Sequence, residues 1–208
     1  FFKQKTAYEI YQCDWSSDVC SSDLQISTSI VKYGTGSLAF DGTGDYIKLG
    51  NNNATQSVGF GSADFTIECW LYWTAHGSYG GIVGSANSNT GAAITAGWFL
   101  DFNSTTNKLQ FEAQGSVSVV TTNDIPSGQW VYITVVRSGS TITHYLNGVA
   151  NGSGSSSATF NSASYPLYVG IDRGASSTLT GYIADLRITN AARYTSNFTP
   201  PTSAASTF

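Results

Sequence analysis

A strict two-residue alternation constrains this chain more than any other feature. Between residues 64 and 73, Phe65, Ile67, Cys69, Leu71 and Trp73 alternate with Thr66, Glu68, Trp70 and Tyr72. Successive side chains of a strand point to opposite faces, so the first set lines a core. The second set is amphipathic, as expected of an outer sheet face that is partly covered. Residues 129–137 repeat the pattern, with Val131, Ile133 and Val135 set against Trp130, Tyr132, Thr134 and Val136. Residues 141–146 are expected to pair back across Ser138-Gly139-Ser140, and Asn147-Gly148 to close a second tight turn. Shorter strands are predicted at 37–40, 46–49, 81–83, 98–102, 108–112, 117–121, 167–169 and 181–189. The Gly/Ser run 151–157 reads as a mobile loop. Short strands punctuated by Gly, Asn and Ser predict an all-β chain, a sandwich or jelly roll.

Composition narrows the function classes. Charged residues are 11% of 208, under half the roughly 25% usual in globular proteins. Nine Lys and Arg against thirteen Asp and Glu leave a net charge of −4. Phosphate backbones are bound through basic patches, so no nucleic-acid partner is expected. No window approaches the roughly 20 apolar residues of a membrane span, and no membrane insertion is expected. Hydrophobic residues at 41% and aromatics at 13% supply ample core material. A secreted or particle-surface setting suits this balance.

Residues 1–24 differ from everything after them. They hold Cys13 and Cys20, two of the three cysteines. The block KQKTAYEI resembles a translated flow-cell primer of short-read DNA sequencing, and DWSSDVCSSDL resembles the read primer that follows it. Tyr11, Gln12 and Cys13 fall where a barcode would lie. The segment is therefore read as adapter carried into a metagenomic assembly, with 25–198 as one domain and 199–208 as the start of a linker or tail. Met is absent from the whole chain, which fits a frame truncated upstream. Cys69 is then the one remaining cysteine, expected as a small core residue.

Five stretches carry a family resemblance by their order and spacing: FDGTGDYIKLG (40–50), DFTIECWLYW (64–73), WVYITVVRSGSTITHYLNG (130–148), LYVG (167–170) and GYIADLRIT (181–189). Together they resemble the laminin-G-like, concanavalin A-like lectin domains. The closing ARYTSNFTPPT (192–202) is similar to the ending of such domains in phage and environmental viral structural proteins. The resemblance implies a two-sheet antiparallel β-sandwich, a jelly roll, on a virion or extracellular surface, with other virion or surface proteins as neighbours.

The superfamily includes hydrolases and lyases, so catalysis was weighed first. Retaining hydrolysis needs two carboxylates about 5 Å apart. Outside the adapter the glutamates are Glu68 and Glu112, in separate strands, with no acid two positions away. His76 and His144 stand isolated. No enzyme is expected.

Calcium-binding relatives place acids just after the strand matching LYVG, where this chain has Asp172 followed by Arg173 and Gly174. The other family ligands are missing, so no cofactor is expected beyond a weak calcium site at Asp172. Asp41 and Asp45 read as turn-capping carboxylates, and Asp185 with Arg187 as a structural pair on one strand face. Sugar binding needs an aromatic platform with planar polar groups beside it. Tyr79, Trp98, Asp172 and Arg173 lie in or next to predicted loops and form the expected ligand site. The partner expected is a surface glycan or polysaccharide. The competing expectation is a virion decoration domain acting through protein contacts.

Overall fold

A computed structural model describes residues 19–20, 24–49, 58–86, 96–113, 117–160, 165–172 and 178–204. Among them, fourteen strands form two seven-stranded antiparallel sheets. The first sheet runs β1 (Val19–Cys20), β4 (Ile47–Leu49), β13 (Leu167–Val169), β6 (Gly81–Ala86), β7 (Gly97–Phe102), β8 (Leu109–Ala113) and β9 (Val117–Val120). The second runs β12 (Val149–Ser155), β11 (Thr141–Leu146), β10 (Val131–Ser138), β5 (Phe65–His76), β14 (Leu179–Thr189), β3 (Ser37–Asp41) and β2 (Gln25–Ser27). This is the two-sheet antiparallel sandwich that the family resemblance implies.

The core lies where the predicted inward residues meet. Phe65, Ile67, Cys69, Leu71 and Trp73 of β5 are all buried, as are Val131, Ile133 and Val135 of β10. Burial raises the Cys69 thiol pKa, which keeps it a packing group rather than a nucleophile. Opposite them, β7 contributes Trp98, Leu100 and Phe102, and β8 contributes Leu109 and Phe111. An aromatic cluster seals one end: the Phe60 ring stacks on Phe65 at 4.2 Å and leans on Trp98 at 5.2 Å.

One expectation is overturned. Most of the run 151–157 belongs to β12, whose pairing with β11 extends to Thr141 opposite Ser155. Composition alone reads Asn-Gly-Ser-Gly-Ser as a loop, but here small size is what packing requires. A Cβ on Gly152 would collide with the Val120 carbonyl, and Gly154 lies against the Val119 side chain. The small residues let β12 close onto β9 and seal that side of the sandwich.

The outer face of the second sheet is buried around β5. Thr66 and Glu68 are wholly inaccessible. The segment 190–201 straps over them: Thr66 Oγ1 donates to the Ala191 carbonyl at 2.8 Å, and Arg193 N donates back to Thr66 Oγ1 at 3.0 Å. Farther along, Phe198 stacks on Tyr194 at 3.6 Å, and its N–H reaches the Gly148 carbonyl. From the other side Lys32 sits 3.6 Å over the Trp70 ring, and the Tyr33 hydroxyl donates to the Pro201 carbonyl at 2.6 Å. The strap therefore continues to Pro201, past the boundary expected near Phe198.

Candidate functional site

The outer face of the first sheet follows from its register. Ile47, Leu167, Val169, Trp98, Leu100 and Phe111 point into the core, so their strand neighbours point away from it. One cross-strand row runs through Lys48, Tyr168, Gly84, Phe99 and Glu112. Phe99 fills the gap over Gly84, where any Cβ would collide with its ring. Tyr46 joins the row from beside Tyr168, with ring centroids 6.2 Å apart. The result is an aromatic surface with Lys48 on one side and Glu112 on the other. Tyr46, Lys48, Tyr168 and Glu112 are half-buried, while Phe99 is buried.

A polar strip lies alongside. Asn103 Nδ2 donates to Gln110 Oε1 at 2.9 Å, and Gln110 Nε2 donates to Glu112 Oε1 at 2.6 Å. Asp101 pairs with Gln110 across β7 and β8. Gln110 and Asp101 are buried, so the half-buried Asn103 and Glu112 are the ends of the strip that can meet a ligand hydroxyl.

The expected site residues separate. Tyr79 and Asp172 come to one rim of this sheet. Gly81 pairs with Asp101 across β6 and β7. A Cβ on Gly81 would strike the Ile171–Asp172 backbone, so only glycine allows that approach. Tyr79 is half-buried two residues earlier, at φ +56°, in the turn that accepts Phe102 N on the Gly80 carbonyl at 2.9 Å. Asp172 is buried, at 3% exposure. Arg173 lies outside the described residues.

Trp98 requires a correction. Its side chain is 0% exposed, its Nε1 donates to the Val58 carbonyl at 2.8 Å, and Phe60 and Phe111 pack against its ring. It offers no face to a ligand. The sequence placed it next to a loop, but β7 begins at Gly97, and alternation turns Trp98 inward with Leu100 and Phe102.

The residues missed are Tyr46, Phe99, Gln110 and Tyr168, with Glu112 considered only as a catalytic acid. Alternation marks Tyr168, between Leu167 and Val169, as outward-facing. What it does not reveal is which outward residues meet across strands.

The carboxylates have resolved roles. Glu68 and Glu112 occupy opposite outer faces of the sandwich, with the packed core between them, too far apart for an acid and nucleophile pair. Glu68 accepts Arg187 Nε at 2.6 Å and Arg193 Nε at 3.0 Å on one oxygen, and the Tyr132 hydroxyl at 2.7 Å on the other. Burial, then the bond to Glu68, pushes the Tyr132 hydroxyl pKa far up. Asp41 and Asp45 cap the turn as expected, Asp45 Oδ2 accepting Asp41 N and Asp41 Oδ1 accepting Thr43 N. Calcium takes about six to eight oxygen ligands. Among the described residues Asp101 and Asp172 flank Gly81, but no three acids, histidines or cysteines gather as a metal site. The described residues do not fit a calcium centre.

Among the described residues, two seven-stranded antiparallel sheets packed face to face define an all-β sandwich protein. Residues 41–196 match the laminin-G-like family described as the concanavalin A-like lectin/glucanases superfamily, and the chain belongs to that family. No curated protein sequence matches the chain. Among solved structures it resembles domain 4 of AbnA, a GH43 extracellular arabinanase from Geobacillus stearothermophilus, in complex with arabinotriose. That likeness has a TM-score of 0.62 at 15% identity, covering 85% of this chain and 82% of the other. A heptameric SAP-like pentraxin from Limulus polyphemus has a TM-score of 0.56 at 16% identity, covering 76% and 77%. The CBM40 of a Ruminococcus gnavus IT-sialidase, bound to α2,3 sialyllactose, has a TM-score of 0.54 at 9% identity, covering 65% and 80%. These likenesses establish the fold.

Proposed function

We propose that this chain is a non-catalytic carbohydrate-recognition module that holds a surface glycan or polysaccharide on the outer face of its first sheet. The observation that carries the reading is the placement of Tyr46 and Tyr168 on the same sheet face as the Asn103–Gln110–Glu112 hydrogen-bonded strip, three strands away in register. A saccharide chain would rest one ring on the tyrosines and direct the hydroxyls of another toward Glu112 and Asn103. Tyr79 and Asp172 form the rim. The complexes of the arabinanase domain with arabinotriose and of the CBM40 with sialyllactose support a glycan as ligand class for this fold. Non-catalytic action is supported by Glu112, whose Oε1 is engaged by Gln110, and by Asp101, which is wholly buried.

The proposed setting is an extracellular or virion surface, as part of a phage tail or similar adhesion protein. The ending at 192–202 supports it, and so does the adapter-like character of residues 1–24. That same ending favours a second reading, a decoration domain held by other virion proteins without glycan affinity. A glycan array probed with the full chain, in calcium and again in chelator, separates them. Binding in both conditions supports the module, and binding in neither supports the decoration domain. Binding in calcium alone contradicts a metal-free site on this face.

A further inference from the structure

The covered outer face of the second sheet ends abruptly, and three aromatic side chains lie beyond the cover. Trp130, Tyr72 and Tyr182 sit on adjacent strands in one cross-strand row, each of the outer rings 5.7 Å from Tyr72. Tyr72 pairs with Tyr182 across β5 and β14, and Trp130 precedes Val131, which pairs with Leu71. All three are half-buried. On the same face, Trp70, Tyr132 and Tyr145 are buried beneath Lys32, Tyr33, Tyr194 and Phe198. The fold thus spends two segments covering one set of aromatics and leaves the adjoining set partly open. Contiguous exposed aromatics on a sheet face mark interaction sites more often than chance exposure does.

We propose that the Trp130–Tyr72–Tyr182 row is a second binding surface, for a neutral polysaccharide chain, on the face opposite the first-sheet site. The chemistry of the row points to that occupant. Its polar groups are phenol hydroxyls, the indole N–H, and the hydroxyls of Thr74 and Thr180 along its flank. Among the described residues, the charged side chains nearest the row are Asp41, opposite Thr180 and engaged in capping Thr43, and Lys32, held over the Trp70 ring at the edge of the cover. With both engaged, the row offers mainly π-faces and hydroxyls, which suit hydroxyl-bearing neutral rings. Its shape disfavours a protein partner. The row is one side chain wide, bounded by Ala39 and Gln25 on the β3 and β2 side. A stable protein interface needs about 800 Å² per partner with a broad buried centre. Tyr72 stands across both neighbours, at 67° and 76°, so a chain lying along the row meets rings turned alternately.

The test is a depletion isotherm of the full chain on microcrystalline cellulose and insoluble xylan, with alginate gel as the acidic comparison. The proposal expects retention on a neutral matrix and less on alginate. It also expects a roughly tenfold weaker isotherm for the Tyr72→Thr, Tyr182→Thr double variant. Tyr72→Phe, which keeps the ring, should bind as wild type, and Val149→Ala, exposed on the β12 edge away from the row, should leave this isotherm unchanged. If the double variant fails to fold by circular dichroism, Trp130→Thr at the open end of the row carries the same expectation. No retention on either neutral matrix overturns the proposal. So does wild-type retention of the ladder variants, or a change confined to self-association in sedimentation equilibrium. Because the Tyr72, Tyr182 and Trp130 variants leave the first-sheet residues in place, failure here leaves that site standing.

Discussion

Glu68 and Arg187 form a buried ion pair 2.6 Å long on the outer face of the second sheet, with the carboxylate wholly inaccessible and the guanidinium 29% exposed. Arg193 joins from the strap at 3.0 Å. Burial works against the Arg187 charge, but the hydrogen bond and charge of Glu68 outweigh it, so its pKa is raised. Removing the carboxylate leaves two cations facing each other beneath the strap. Glu68→Ala is expected to cost about 3 kcal/mol, a fall of about 10 °C in Tm for a domain of this size. Arg193→Ala, screened at its exposed side, should cost about 1 kcal/mol or less. Thermal melts of the two variants check this ordering.

His144 gives the fold an acid sensitivity. It is buried, its Nε2–H donates to the Val119 carbonyl at 2.7 Å, and burial pushes its pKa down to about 4, against the smaller upward pull of that bond. The unfolded chain takes up a proton near pH 6.5 while the folded chain does not. Stability is therefore full above pH 6.5 and falls as pH drops toward 4, by about 3 kcal/mol. Melts between pH 7.5 and 4.5 should show this slope, and His144→Gln, which retains a donor for Val119, should flatten it.

Trp98 and Tyr168 should respond in opposite ways to truncation. Trp98→Ala empties the middle of the aromatic cluster and orphans the Val58 carbonyl, at a cost of about 4 kcal/mol. Tyr168→Ala removes a half-buried outward ring and should leave Tm within about 2 °C of wild type. Calorimetry on both variants distinguishes a core position from a ligand-facing one.

Deleting residues 1–23 tests the adapter reading. The described contact of that segment is a two-residue pairing, Val19 with Lys48 and Cys20 with Ile47. Leu24 is kept because it packs against the core. Tm is expected to stay within about 2 °C. A fall of several degrees would show that the segment belongs to the fold.

Alternation made the fold legible because β5, β10 and β11 are long enough to display their period, and each was placed within a few residues. It failed at β12, where strand formation comes from the pairing partner and from room that only small side chains leave. Of the residues expected at a site, Tyr79 and Asp172 lie at strand ends, and the fold brings them to one rim near Asp101. Trp98 was misplaced because a strand start looks the same from either face. Tyr168, Phe99 and Glu112 were hidden because their meeting depends on the register of four strands, from β13 through β8, that are far apart in sequence. Arg187 was read beside Asp185, but β14 shifts register between Ala184 and Arg187, and Arg187 reaches Glu68 instead.

The most direct measurement is the affinity of Tyr168→Ala and Glu112→Gln for the glycan that binds the full chain best, by titration calorimetry with melts run in parallel. The account predicts at least a roughly tenfold loss for each variant with Tm little changed, and no release of reducing ends from the bound glycan by wild type. Wild-type affinity in both variants would contradict it and remove the first-sheet face as the binding site.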